Sequence, residues 1–200
     1  MHAPGQSNGG KRGNGAGQRG AAWRIAPWVL AALLLLLPLA AMQFTGEVAW
    51  DETDFIVMGA MLFGACGAFE LAARMTGNIA YRAAVGVAVV AAFILIWMNL
   101  AVGIIGSEAN PANLMYGGVL GVGTVGALIV RFQPDGMARA LAGTALAQAL
   151  VGAIAMILGL GSTGANWPGA ILFLTGFFAA LWLISAWLFR KAAREINKST

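Results

Sequence analysis

Residues 83–105 read AAVGVAVVAAFILIWMNLAVGII, an apolar run without a single charged side chain. About 20 such residues cross the hydrocarbon core of a bilayer as one α-helix. Similar runs lie at about 26–44, 55–74, 112–130, 138–158 and 167–189. The sequence therefore predicts an all-α membrane protein, a six-helix transmembrane bundle that occupies residues 23–190.

The overall composition agrees with this prediction. Of the 200 residues, 60% are hydrophobic and only 10% are charged, whereas a soluble domain carries about 25% charged residues. The net charge of +4 comes from Lys and Arg residues that flank the apolar runs. Because that placement is typical of membrane topology, we expect membrane lipid, and not nucleic acid, as a partner.

Basic residues also predict the orientation. The N-terminal tail, the second-to-third loop, the fourth-to-fifth loop and the C-terminal tail hold all twelve Lys and Arg residues. The positive-inside rule then places both termini in the cytoplasm of a bacterial inner membrane. Residues 1–22 are rich in Gly and are predicted to be a disordered basic tail, and residues 191–200 a second basic tail that, like the first, is attracted to anionic lipid.

Several kinds of site are excluded by residue type. The chain has one cysteine, Cys66, and one histidine, His2. A haem held by two histidines, a His/Cys zinc site and a Ser-His-Asp triad all need residues that are lacking. We therefore predict no catalytic, cofactor-binding or metal-binding residue, and no cofactor.

Glu70 is the acid that lies deepest in a predicted span. Arg74 follows it by four residues, which is the favourable order for a helical ion pair, and Arg82 lies just across the next turn. We expect a structural pair near the membrane surface. The alternative is a protonatable site on an ion path, because ionisable residues within the membrane are often functional.

Asn99 and Gln148 are amides placed well inside predicted spans. An unpaired amide in hydrocarbon costs several kcal/mol, roughly, so both should face protein or water. An interhelical hydrogen bond is the simpler interpretation. A polar lining for a small-solute path is the alternative.

The stretch from Asn99 to Tyr116 is the least ordinary part of the chain. It contains Glu108, Asn110 and Asn113, which are expected at the outer surface. A tight, capped turn between helices with Glu108 solvated is the simpler interpretation. The alternative is that these residues accept hydrogen bonds from a ligand or a partner subunit. Asn110 followed by Pro111 predicts a helix start, since Asn is a good cap and proline suits the first helical position.

A cluster of acids, Glu47, Asp51, Glu52 and Asp54, precedes the second span. Carboxylates bind hard cations, but they also suit the positive start of a helix. We expect capping of the second helix.

Small residues recur at helical spacing in three spans and predict helix–helix seams, since close approach drives association in lipid. The alternative is that a seam faces another protein chain. The stripes comprise Ala60, Gly64, Ala68 and Ala72; Ala145, Ala149 and Ala153, beside Ala140, Thr144, Gln148 and Gly152; and Gly117 with Gly121. A formal G-x-G-x-x-G at 121–126 lies inside an apolar span, without the strand that a dinucleotide site requires.

The stretch from Asn99 to Tyr116, together with Arg131 and the segment from Gly136 to Leu141, resembles small multi-span inner-membrane proteins of proteobacteria with no known function. The resemblance covers about the middle half of the chain and implies a bacterial inner membrane. It implies no activity, substrate or active-site residue.

Three functions follow from these observations. The sequence favours a non-enzymatic accessory, scaffold or assembly subunit of a membrane complex, with other membrane subunits or a second copy as partner. A small-solute or ion transporter whose path is lined by Glu70, Asn99 and Gln148 is the alternative. An enzyme that uses Glu108 at the outer surface is the weakest, because one carboxylate is a poor catalytic constellation.

Overall fold

Six α-helices form the computed structural model, which describes residues 14–46, 48–164 and 166–199, with side chains from Ile25 to Lys198. In chain order the helices are α1 (Asn14–Ala41), α2 (Glu52–Met75), α3 (Ile79–Ala101), α4 (Met115–Ile129), α5 (Pro134–Ile157) and α6 (Gly169–Ser199). A short 3₁₀ turn, Pro111–Leu114, leads into α4. The prediction of an all-α chain with six helices is confirmed.

Five helices of the described chain are long and apolar enough to cross a membrane. They are Glu52–Met75, Ile79–Ala101, Pro111–Ile129, Pro134–Ile157 and Gly169–Lys198, and Ile25–Ala41 of α1 is a shorter apolar helix. The chain is therefore a multi-pass integral membrane protein.

The two terminal helices extend beyond the predicted spans. α1 begins at Asn14 and α6 continues to Ser199. Neither predicted tail boundary, at residue 22 or at residue 191, is therefore the end of a helix. Residues 1–13 lie outside the described part of the chain. Extending an existing helix gains one hydrogen bond for each residue fixed. At the end of α6, Ala192 and Ala193 are also buried, so packing stabilises the extension.

The chain divides into two compact units, and the first is Met1–Cys66. Here Met58, Leu62 and Cys66 are buried at four-residue intervals on one face of α2. The Cys66 thiol donates to the carbonyl of Pro27 at 3.4 Å. The rings of Trp28 and Phe63 meet edge to face, 5.4 Å apart. α1 and the first half of α2 thus pack through one sulfur and one aromatic contact.

The second unit, Gly67–Thr200, contains the rest of α2 with α3 to α6. α5 packs along both α4 and α6, and α6 packs also against α3. Between α3 and α6, the buried Ser185 hydroxyl donates to the Ala84 carbonyl at 2.7 Å. The contact between α3 and α4 is slight, so these two helices leave a gap.

Glycine brings α4 and α5 together. A Cβ placed on Gly123 would lie 3.1 Å from the Thr144 hydroxyl, and one on Gly126 would lie 2.8 Å from the Cβ of Ala140. Larger residues at either position would force the helices apart. The G-x-G-x-x-G at 121–126 is accordingly helix-packing surface, as its apolar context indicated.

The seam predicted at Gly117 and Gly121 is not an internal one among the described residues, because a Cβ at either position would meet nothing within 4 Å. The seam lies on the face of Gly123 and Gly126 instead. Spacing shows which glycines share a face, but the neighbouring helix selects the face that is used.

Two neighbouring small-residue faces were predicted as seams on α5. The face that carries Thr144, Gln148 and Gly152 is packed, whereas the face of Ala145, Ala149 and Ala153 is packed only in part. Thr144, Gln148 and Gly152 are buried, whereas Ala149 and Ala153 are exposed. The buried face is the one that carries the polar side chains.

Candidate functional site

The ion pair predicted between Glu70 and Arg74 is present. Arg74 Nε donates to Glu70 Oε1 at 3.0 Å, with the arginine side chain 66% exposed and the glutamate 17%. Arg82 donates instead to the carbonyls of Ala73, at 2.7 Å, and Thr76, at 2.8 Å. Arg82 therefore caps the end of α2, where the last carbonyls of a helix need donors.

Asn99 does not form the interhelical hydrogen bond predicted for it. Its Nδ2 donates to the Leu95 carbonyl at 2.7 Å, one turn back in the same helix, and its buried Oδ1 has no partner among the described residues. The Leu95 carbonyl is already positioned by the helix that carries Asn99, so this hydrogen bond forms without a contribution from a second helix.

Gln148 is completely buried in the core of the second unit. Within the described part of the chain, neither its Nε2 nor its Oε1 has a hydrogen-bond partner. The predicted interhelical hydrogen bond of Gln148 is therefore not formed either. Its burial agrees with the expectation that it faces protein.

Two cavities of the second unit have volumes of about 350 and 290 Å³. Glu70, Asn99 and Gln148 line neither of them. The three residues thus do not share either cavity as a polar path.

Asn113 is buried rather than displayed at the outer surface, which does not fit the alternative role as an acceptor for a ligand. Its Oδ1 accepts from the backbone N–H groups of Ile104, at 3.0 Å, and Ile105, at 2.9 Å, and its Nδ2 donates to the Ser107 carbonyl at 2.7 Å. One side chain satisfies three backbone groups of the turn after α3. Asn113 therefore holds the turn in place.

The neighbouring polar residues fit a capped turn. Asn110 Oδ1 accepts from the Ala112 N–H at 3.0 Å, which confirms the predicted helix start at Asn110 and Pro111. Glu108 is exposed. This arrangement matches the predicted capped turn with Glu108 solvated.

Two loops meet through glycine beside this turn. Gly106 and Gly161 have left-handed backbones, with φ of +79° and +77°. A Cβ on Gly161 would lie 2.6 Å from the Gly106 nitrogen. The 290 Å³ cavity lies here, lined in part by both glycines and by Trp167. Sequence reasoning missed this contact, because two distant glycines carry no signal that they meet.

The acids before α2 form a helix cap, as predicted. The Asp54 N–H donates to Asp51 Oδ1 at 2.9 Å, and the Asp51 N–H donates to Asp54 Oδ2 at 3.0 Å. This reciprocal arrangement has the geometry of a capping box. Glu47 lies outside the described residues.

The stripe of Ala60, Gly64, Ala68 and Ala72 on α2 is mostly exposed. Only Ala72 is buried. A Cβ on Gly64 would meet nothing within 4 Å. The stripe is therefore not an internal seam among the described residues, because Met58, Leu62 and Cys66 occupy the buried face.

The 350 Å³ cavity is an apolar groove that opens between α2 and α4, and we refer to it below as the groove. Its lining is mostly aliphatic, and the most exposed large hydrophobic side chains in it are Leu71, Met75 and Leu128. Trp182 lines the groove and is 3% exposed, with its indole N–H unpartnered among the described residues. The slight contact between α3 and α4 leaves room for the groove.

An unusual turn closes one end of the groove. Arg131 and Phe132 have left-handed backbones, with φ of +50° and +59°, which costs a residue other than glycine about 1–2 kcal/mol. The Tyr81 hydroxyl donates to the Phe132 carbonyl at 2.8 Å. Tyr81 and Phe132 both line the groove, so this hydrogen bond fixes its end wall.

Arginines are the sequence neighbours of three residues at that end. Met75, Tyr81 and Phe132 line the groove, and their sequence neighbours are Arg74, Arg82 and Arg131. Arg74 is paired with Glu70 and Arg82 caps α2, whereas Arg131 is exposed. Sequence reasoning noted the arginines but had no signal for a groove between them.

Comparisons with family models, with curated proteins and with solved structures find no match for this chain.

Proposed function

We propose that this chain is a non-enzymatic accessory, scaffold or assembly subunit of a larger membrane complex. We place it in a bacterial inner membrane with both termini in the cytoplasm, because the basic flanks alternate with flanks that hold no Lys or Arg. The observation that carries the proposal is the exposed small-residue stripe of Ala60, Gly64 and Ala68. Such stripes let a second helix approach closely, which supplies the packing that drives association in lipid.

No observation favours the two alternatives. A transporter path through Glu70, Asn99 and Gln148 is weakened because the three line neither cavity. An enzyme built on Glu108 is weakened because that carboxylate is exposed in a turn whose neighbouring amide, Asn113, is engaged by the backbone.

The test is Gly64→Leu, measured by native mass spectrometry of tagged protein extracted from its own membrane in a mild detergent. We expect the wild type to carry a stoichiometric second subunit. A leucine on the stripe should hold the partner helix away and reduce the complex about tenfold, which corresponds to about 1.4 kcal/mol.

Gly176→Leu on α6 is the matched control. Gly176 is also exposed, and a Cβ there would also meet nothing within 4 Å, so this variant should keep the partner. Retention of the partner by Gly64→Leu would rule out the stripe as the interface. A wild type without any partner would contradict the subunit proposal, and Glu70→Gln in a proton-flux assay would then test transport.

A further inference from the structure

The groove has the shape of a site for a single hydrocarbon chain. Along α3 it is lined from Tyr81 to Ala92, a stretch of about 16 Å at 1.5 Å per residue. Its volume of about 350 Å³ lies at the lower end of the range for small-ligand sites. Since its mouth is formed by exposed apolar side chains of membrane-spanning helices, Leu71, Met75 and Leu128, the groove opens toward lipid.

The end of the groove at Tyr81 and Phe132 lies at the basic end of the unit. The hydrogen bond from Tyr81 to Phe132 and one from Asn78 to Glu195, at 2.8 Å, bring the α2–α3 turn, the α4–α5 turn and the end of α6 together. From Gly67 onward, these helix ends hold all eight Lys and Arg residues and three acids: Arg74, Arg82, Arg131, Arg139, Arg190, Lys191, Arg194 and Lys198, against Glu70, Asp135 and Glu195. The excess positive charge complements an anionic headgroup.

We propose that the groove binds one acyl chain of an anionic phospholipid, with the phosphate beside Arg131. The chain lies along α3 against Val85, Ala88 and Ala92, and Trp182 contacts it from α6. Arg131 is the arginine suited to the headgroup, because Arg74 already holds Glu70 and Arg82 holds two carbonyls. The left-handed backbone at Arg131 and Phe132 keeps the cation and the end wall of the groove adjacent.

This inference is independent of the proposed subunit function, since it is measured on the isolated full-length chain. Delipidated protein is titrated in native mass spectrometry with dioleoyl phosphatidylglycerol and with dioleoyl phosphatidylcholine, which differ only in the headgroup. We expect one phosphatidylglycerol per chain, bound at least about tenfold more tightly than phosphatidylcholine.

Two variants separate the headgroup from the chain. Arg131→Gln should reduce the preference for phosphatidylglycerol to about threefold or less, whereas Glu108→Gln, in the exposed turn at the other end of the unit and outside the groove lining, should leave it unchanged. Ala88→Phe places a ring in the groove and should weaken both lipids more than about tenfold. Ala149→Phe, on the exposed face of α5 and outside the groove lining, should bind as the wild type does.

Trp182 reports the position of the chain even if Ala88→Phe fails to fold. Phosphatidylglycerol with brominated acyl chains should quench the fluorescence that is lost in Trp182→Phe, because that indole is buried and lines the groove. Equal affinity for the two lipids, an unquenched Trp182, or replacement of the lipid by a quinone or a protein in the native spectrum would overturn the proposal.

Discussion

The two ends of the second unit differ in how closely their neighbouring elements pack. At one end, the turn after α3 and the loop before α6 touch through Gly106 and Gly161, and Asn113 binds three backbone groups. At the other end, the Tyr81 hydroxyl reaches the Phe132 carbonyl and walls off only the end of the groove, whose mouth between α2 and α4 stays open. Glycine lets two backbones touch directly, whereas a tyrosine side chain bridges two elements that remain apart.

The difference shows where the unit can bind something. At the closed end, Asn113 and Asn110 bind backbone groups of their own turn, so these two amides are not available to a ligand. The open end places apolar walls beside the exposed Arg131. Function in the second unit is therefore expected at the basic end, away from the polar turn that looked most informative in the sequence.

Breaking the closed end at its tightest point should have the largest effect. Gly161→Ala puts a Cβ 2.6 Å from the Gly106 nitrogen on a backbone with φ of +77°. The left-handed conformation and the overlap should together lower the free energy of unfolding by about 4 kcal/mol. The measurement is SDS titration in mixed micelles, followed by loss of helical circular dichroism.

Gly159→Ala is the matched control for Gly161→Ala. Gly159 also has a positive φ, of +64°, but a Cβ there would meet nothing within 4 Å. Gly159→Ala should therefore lower the free energy of unfolding only through the cost of the left-handed backbone, about 1 kcal/mol. Equal losses for the two variants would show that the contact between Gly106 and Gly161 does not stabilise the closed end.

The next effect in size concerns Asn113. Asn113→Ala leaves the buried N–H groups of Ile104 and Ile105 without their acceptor, and each such group costs about 1–3 kcal/mol. We expect a loss of about 3 kcal/mol in the same titration. Asn110→Ala removes a single cap hydrogen bond and should cost about 1 kcal/mol; a larger loss at Asn110 would contradict this assignment.

The smallest effect should come from the open end. Tyr81→Phe removes the hydrogen bond to the Phe132 carbonyl but keeps the edge-to-face contact with Phe189, at 5.0 Å. The expected loss in unfolding free energy is about 1 kcal/mol. The same SDS titration measures this loss. An unchanged free energy of unfolding in Tyr81→Phe would show that the hydrogen bond to Phe132 does not stabilise this end of the unit.

Much of the local structure follows from short-range patterns. The apolar runs predict the helices because a spanning segment must satisfy its own backbone. The caps at Asp51 and Asn110 and the pair of Glu70 with Arg74 depend on residues within four positions of one another. Such interactions form wherever the helix forms, so they could be predicted without knowing any neighbour.

The candidate site could be predicted only in part. The sequence identified Asn113 and Gln148 as unusual, and both are buried. The capped turn expected around Asn113 is present, but the interhelical hydrogen bond expected for Gln148 is not found among the described residues. Asn113 binds groups eight and nine residues away through a turn of irregular shape. Tyr81 and Phe132 are 51 residues apart, and nothing in either local sequence indicates that they meet.

The sequence by itself determined the helical class, the membrane location and the helix ends with local caps, because these depend on hydropathy, length and near neighbours. The tertiary structure alone decided that α4 packs through Gly123 and Gly126, that α2 exposes Ala60 and Gly64, and that α3 and α4 enclose a groove. Spacing within a helix defines the faces available for packing. Only the arrangement of the other helices decides which face is covered and which is left open.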